Sequence, residues 1–98
     1  MKYINCAAYT ADKARILALR PQHRQYLSEL FKRGSLVAAG PFADDSGAVF
    51  IYEAGSDREA FDIANNDPFA VNRVFERFEV KPWNLVFCNP DLLRAAAP

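Results

Sequence analysis

The segment AVFIYEA, residues 48–54, poses the tightest constraint in this chain of 98 residues. Read as a strand, it puts Val49 and Ile51 on one side and Phe50 and Tyr52 on the other. The segment RFEVKPWNLVF, residues 77–87, repeats the problem, with Val80 and Val86 set against Trp83, Leu85 and Phe87. A strand that is bulky and apolar on both sides has to be buried on both sides. The chain is 51% hydrophobic and 13% aromatic, which is rich for a length that leaves much of its surface exposed. The fold this demands is a sheet covered on both faces, one of them by something other than the chain's own helices.

The remaining segments supply the other elements. YINCAAY (3–9) reads as a strand whose faces are Tyr3, Asn5, Ala7, Tyr9 and Ile4, Cys6, Ala8. A short helical turn is expected over residues 14–18, and Pro21 then restarts a helix in its first turn. That helix runs to Arg33, with Gly34 as its stop. SLVAAGPF (35–42) is a second strand broken at Gly40-Pro41, ADDSG (43–47) is a turn, and 48–54 completes a hairpin. SDRE (56–59) is a capping box that opens a helix through about Asn65, burying Phe61 and Ala64 with Ala60 or Ile63. NNDPF (65–69) stops it and starts a shorter helical segment carrying Phe69 and Val71, and 77–87 is the last strand. The order βαββαβ predicts an α+β, ferredoxin-like fold, an antiparallel sheet with helices on one face. It reads as a single domain over 1–98, with a core of 2–88 and an irregular tail, 89–98. Pro82 belongs on an edge strand, which is where this order puts the last strand. Two helices cover only one face, so the economical cover for the other is a second copy packed sheet to sheet, a homodimer.

Twelve Lys plus Arg balance twelve Asp plus Glu. With no basic excess, nucleic acid is not expected as a partner. The apolar runs are too short for a membrane span. The first residues lack the long apolar stretch of a signal peptide, which points to the cytoplasm. Cys6 and Cys88 fit no metal spacing and no redox motif. In strands they read as small buried hydrophobes, free of disulfide bonding. One histidine and two distant cysteines offer no ligand cluster, so no metal is expected.

The one histidine lies in RPQHRQYL, residues 20–27. His23, Tyr26, Leu27, Leu30 and Phe31 follow helical spacing and make one stripe facing the sheet, while Gln22, Arg24, Gln25, Ser28, Glu29 and Lys32 look solvated. Burial and a helix start both disfavour imidazolium, and a nearby carboxylate would favour it. A histidine between such opposing influences suits a general acid or base. The same spacing also describes a satisfied core histidine. Asp67 before Pro68 is equally an N-cap with proline at the first helical position, and Trp83 after Pro82 is equally core filling. Spacing does not say whether His23 and Asp67 meet.

RPQHRQYL, GSLVAAGPFADDSGAVFIYEA and ANNDPFAVNRVFERFEVKPWNLVF, taken together, resemble the YciI-like (YCII-related) family from the first strand to Phe87. The resemblance rests on R-x-x-H, A-G-P, D-P-F and P-W in that order. It implies a dimeric α/β barrel of ferredoxin-like subunits and a proposed active site pairing a histidine with an aspartate, here His23 and Asp67. Relatives by fold include muconolactone isomerases, cofactor-free monooxygenases and proteins linked to dehydrochlorination of aromatics. The expectation is a small cofactor-independent enzyme of lyase, isomerase or dehydrochlorinase type, moving a proton on a small cyclic or aromatic molecule. The alternative is a non-catalytic dimeric module that binds a metabolite. Pro41, Phe42, Phe69 and Trp83 are expected as pocket walls, and Arg20 as the holder of a substrate carboxylate or as a solvated helix-start arginine. The family pattern often has a small residue near Asn72; here Asn72 and Arg73 stand at the expected pocket mouth.

Overall fold

The computed structural model describes residues 1–95. Its elements are β1 (Lys2–Tyr9), α1 (Lys13–Lys32), β2 (Leu36–Pro41), β3 (Gly47–Glu53), α2 (Asp57–Asn65), α3 (Pro68–Val71) and β4 (Phe75–Trp83). The four strands form one sheet in the order β2-β3-β1-β4. All neighbouring pairs are antiparallel, which is the ferredoxin-like arrangement. β4 is at an edge, and Pro82, opposite Tyr3, is tolerated there.

Local chemistry explains where each helix begins and ends. Asp12 caps α1 by accepting the Arg15 N–H at 3.1 Å. At the other end Gly34 has φ +81°, and the Ser35 and Gly34 N–H groups bond back to the Leu30 and Phe31 carbonyls. That is a Schellman stop, and the left-handed backbone it needs suits glycine. Ser56 accepts the Glu59 N–H, and the Glu59 carboxylate accepts from Gly55 N–H, so the capping pair reaches one residue further back than expected. Gly47 is required by close packing: a Cβ there would fall onto the Ala7 carbonyl oxygen of the neighbouring strand.

Several expectations are corrected. Residues 13–32 make one continuous helix through Pro21 instead of a turn followed by a new helix. The N–H that Pro21 lacks would have met the carbonyl of Leu17, an exposed residue whose carbonyl water can serve. His23 is therefore mid-helix, and no helix-start field acts on it. The stripe buried by α1 centres on Ile16, His23 and Leu30, while Phe31 is exposed. α2 buries Ala60, Ile63 and Ala64; Phe61 and Val71 are exposed. β4 starts and ends earlier than 77–87, leaving Leu85, Val86 and Phe87 exposed beyond its end. Both cysteines are free and exposed, where burial had been expected. Of the tail, Pro90–Leu92 form one 3₁₀ turn, and residues 96–98 lie outside the described residues.

The core lies between the helices and one face of the sheet. Tyr3, Ala7 and Tyr9 from β1, Ala48, Phe50 and Tyr52 from β3, and Phe75 from β4 pack there with Ile16, Leu30, Ile63 and Phe69. Burial of each large side chain contributes about 1.5–3 kcal/mol. The opposite face carries Ile4, Cys6 and Ala8 beside Val49 and Ile51, none of them fully buried. No helix among the described residues is long and apolar enough to cross a membrane.

Candidate functional site

The D-P-F motif builds the site. Asp67 caps α3, Pro68 occupies the first helical position, and Phe69 is buried one residue on. The Phe69 N–H donates to Asp67 Oδ1 at 2.9 Å. The same oxygen lies 2.7 Å from Nδ1 of His23, across forty-four positions of sequence. The histidine and aspartate side chains are 7% and 0% exposed. Oδ1 alone thus serves both as the cap and as the contact with the histidine. Oδ2 is buried with no partner among the described residues, so the two donors at Oδ1 alone offset the burial of the carboxylate.

Aromatic rings hold the imidazole from three sides. Phe69 stacks on it with centroids 3.8 Å apart and planes 3° from parallel. Phe50 and Phe75 meet it edge-on at 5.8 Å and 6.3 Å. With Nδ1–H donated to the carboxylate, Nε2 carries the lone pair of the neutral ring. Among the described residues Nε2 has no hydrogen-bond partner, and His23 lines a cavity of about 250 Å³. Tyr9, Arg20, Arg24, Leu27, Pro41 and Phe50 are among the other walls. Burial pushes the Tyr9 phenol up to about 12, with Asp45 adding to the rise and Arg20 and Arg24 opposing it. Tyr9 is thus an O–H donor at ordinary pH.

A second polar layer lies beneath. Asn5, fully buried in mid-strand, donates to the Tyr52 hydroxyl at 3.1 Å. Burial also raises Tyr52 and Tyr26. The Tyr26 hydroxyl donates to the Ile63 carbonyl at 2.7 Å, tying α1 to α2.

Of the residues expected at a site, His23, Asp67, Arg20 and Pro41 come together. Arg20 donates through Nη2 to both oxygens of Asp45, at 3.1 and 3.2 Å. Asp45 holds φ +61° in the β2–β3 turn, a left-handed conformation that Asp tolerates better than most residues. Phe69 is beneath the imidazole, fully buried, and is not a cavity wall. Phe42 lines a broader hollow of about 640 Å³ with Cys6, Ala8, Arg77 and Glu79. Trp83 is opposite Lys2, eight residues along β4 from Phe75, or about 26 Å. Asn72 and Arg73 form the turn leaving α3 and do not line the cavity. Tyr9 and Arg24 were missed. Tyr9 shares the strand face of Tyr3, Asn5 and Ala7, a signal present in the alternation; Arg24 is exposed, as its place off the apolar stripe implied, and lines the cavity as well.

Residues 1–84 match the model of the YCII-related domain. Protein YciI of Escherichia coli O6:H1 is 33% identical over 93 residues, covering 81% of this chain and 95% of its own length. Protein YciI of Shigella flexneri gives the same figures. The uncharacterized protein YjpA of Bacillus subtilis is 33% identical over 63 residues, covering 64% of this chain and 73% of its own. Among solved structures, 5-chloro-2-hydroxyhydroquinone dehydrochlorinase (TftG) from Burkholderia phenoliruptrix AC1100, in complex with 2,5-dihydroxybenzoquinone, aligns with a TM-score of 0.75. That alignment covers 86% of this chain and 94% of the other at 23% identity, a likeness of fold.

Proposed function

This chain belongs to the YCII-related domain family, and from that premise we propose that it is a small cofactor-independent enzyme in which His23 moves a proton on a small cyclic or aromatic substrate. The observation that carries the reading is the 2.7 Å contact between His23 Nδ1 and a fully buried carboxylate, in a histidine that also lines a cavity. Asp67 fixes the tautomer that presents a lone pair at Nε2, and its charge stabilises the imidazolium once a proton is taken. The stacked ring of Phe69 and the edge-on rings of Phe50 and Phe75 prevent the imidazole from turning away.

The proposed reaction uses that geometry. Nε2 takes a proton from an acidic carbon of the substrate. The released C–H electron pair either forms a double bond as a leaving group departs with its own bonding pair, or shifts the double bond. In the second case the imidazolium returns the proton at another carbon. The first route is elimination, including loss of chloride; the second is isomerisation. Both need a base, a stabiliser and a snug apolar site. That TftG is a dehydrochlorinase of the same fold is consistent with the first route. The reading includes a homodimer joined through the uncovered sheet face and a cytoplasmic setting.

A turnover screen of small unsaturated acids, lactones and chlorinated hydroxy-aromatics tests it. Replacing the base, His23→Gln, should lower turnover about 10²–10⁴-fold. Asp67→Asn keeps an oxygen for the cap but removes the charge, and should lose rate on the same scale while folding normally. Saturable binding without turnover of any of these classes would favour the non-catalytic module instead.

A further inference from the structure

The polar walls of the cavity beside His23 are unusual in sign. Tyr9, Arg20, His23 and Arg24 line it together with apolar Leu27, Pro41, Ala48 and Phe50, and among the described residues no carboxylate does. Arg20 and Arg24 are one helical turn apart, where like charges repel. Asp45 balances only one of them, bonding Nη2 of Arg20. Arg24 takes part in no ion pair among the described residues. Two arginines thus line one small space, only Arg20 of the two is bonded to a carboxylate, and the Tyr9 hydroxyl, also without a partner among the described residues, adds a neutral donor.

We infer that this cavity takes a small organic carboxylate, whose oxygens are held by Arg24 with help from Tyr9 and Arg20, while its apolar body lies against Leu27, Pro41, Ala48 and Phe50. The inference deepens the proposed function and rests on it for what happens next at Nε2. The guanidinium fork matches the two oxygens of a carboxylate, and such charge-assisted bonds are stronger than neutral ones. Size limits the body: about 250 Å³ is below the ~300–1,000 Å³ of sites for drug-sized ligands, so a single ring or a short chain fits. The apolar floor argues against inorganic phosphate, which would leave it uncovered. Holding the acid end at Arg24 also sets the carbon skeleton against His23, which lines the same cavity.

Benzoate and benzamide, matched in shape and different in charge, are suitable probes. The protein has a single histidine, so its imidazole NMR signals report binding at this site alone. Benzoate should move those signals and bind about tenfold or more tighter than benzamide. Arg24→Gln, an exposed helix substitution, should remove that preference, weakening benzoate about tenfold and leaving benzamide unchanged. Equal binding of the two probes, an unchanged benzoate affinity in Arg24→Gln, or no response of the His23 signals to either would overturn the inference. The two readings fail separately. Charge-selective benzoate binding, read by calorimetry, that survives His23→Gln, in a protein that turns nothing over, keeps the carboxylate site and removes the reaction. Turnover of neutral lactones without benzoate preference does the reverse.

Discussion

Along β1, Tyr3, Asn5, Ala7 and Tyr9 are buried under the helices, while Ile4 and Ala8 on the other side are only partly covered and Cys6 is exposed. β3 divides the same way, Phe50 and Tyr52 against Val49 and Ile51. The covered face is an aromatic core that nonetheless admits the buried polar side chains Asn5, His23 and Asp67. The open face is the converse, with apolar Ile4, Val49 and Ile51 in the middle and Lys2, Glu53, Arg77, Glu79 and Lys81 around them. The two exceptions teach different things. Polar groups kept in an apolar core at a cost in desolvation mark chemistry or specificity. An apolar patch ringed by charge is where the proposed second copy would dock.

The first way to break this comparison is to remove the core's aromatic support. Phe69 is fully buried and carries the imidazole stack. Phe69→Ala should cost about 3–5 kcal/mol, a large share of the ~5–15 kcal/mol that holds such a domain together. Phe69→Leu should restore most of that stability but not the stack, so activity should recover less than stability does. Chemical denaturation alongside turnover checks both. A loss under ~1 kcal/mol for Phe69→Ala would mean that the covered face is not the core.

The open face should respond in the opposite manner. Ile51→Lys adds a charge beside half-buried Val49 and should alter the stability of an isolated subunit by only about 0.5 kcal/mol. In a homodimer joined through that face the lysine would be buried without a partner and should dissociate the pair. Sedimentation at micromolar concentration should therefore show twice the chain mass for the wild type and the chain mass for Ile51→Lys. Cys6, on the same face, sharpens the reading: its thiol should react slowly in the wild type and fast in Ile51→Lys, with Cys88 fast in both. A wild type of single-chain mass would leave the open face without its expected cover.

Much of this was legible in the sequence for a definable reason. Strand alternation, the Ser56 cap, the Gly34 stop and the edge placement of Pro82 are local, and local chemistry decides them. Asp67 could be read as a cap from two neighbours, but its bond to His23 depends on how α1 and α3 pack, which no spacing encodes. Pro21 misled because a proline inside a helix is tolerated where the freed carbonyl faces water, and exposure is a tertiary property. The C-terminal end of β4 misled similarly: LVF at 85–87 has strand chemistry, but β1 ends its pairing with Trp83 opposite Lys2. Trp83, Phe42 and Phe69 were assigned as pocket walls from residue type, and residue type does not say which side of a sheet, or which end, a ring will occupy.

The smallest expected effect also separates the two faces, through their carboxylates. Asp67 meets its partner with its own side chain fully buried, whereas Glu53, at the rim of the open face, accepts from the Lys2 ammonium at 2.8 Å and from the amino-terminal ammonium at 2.6 Å with its side chain 39% exposed. The bond from Lys2, followed by that from the amino terminus, holds the Glu53 carboxyl down at about 2, from an ordinary 4.5. A carboxyl depressed by folding stabilises above its unfolded value and loses that contribution as pH falls through the folded one. Glu53→Gln should therefore melt slightly below the wild type above pH 4.5, and the two should converge as pH approaches 2. Because the contact is open to solvent, its contribution is small, and half-molar salt should shrink the difference further. A gap between the two proteins that persists at high salt would mean that Glu53 is shielded from water, as it would be if the covering of the open face extended over its rim.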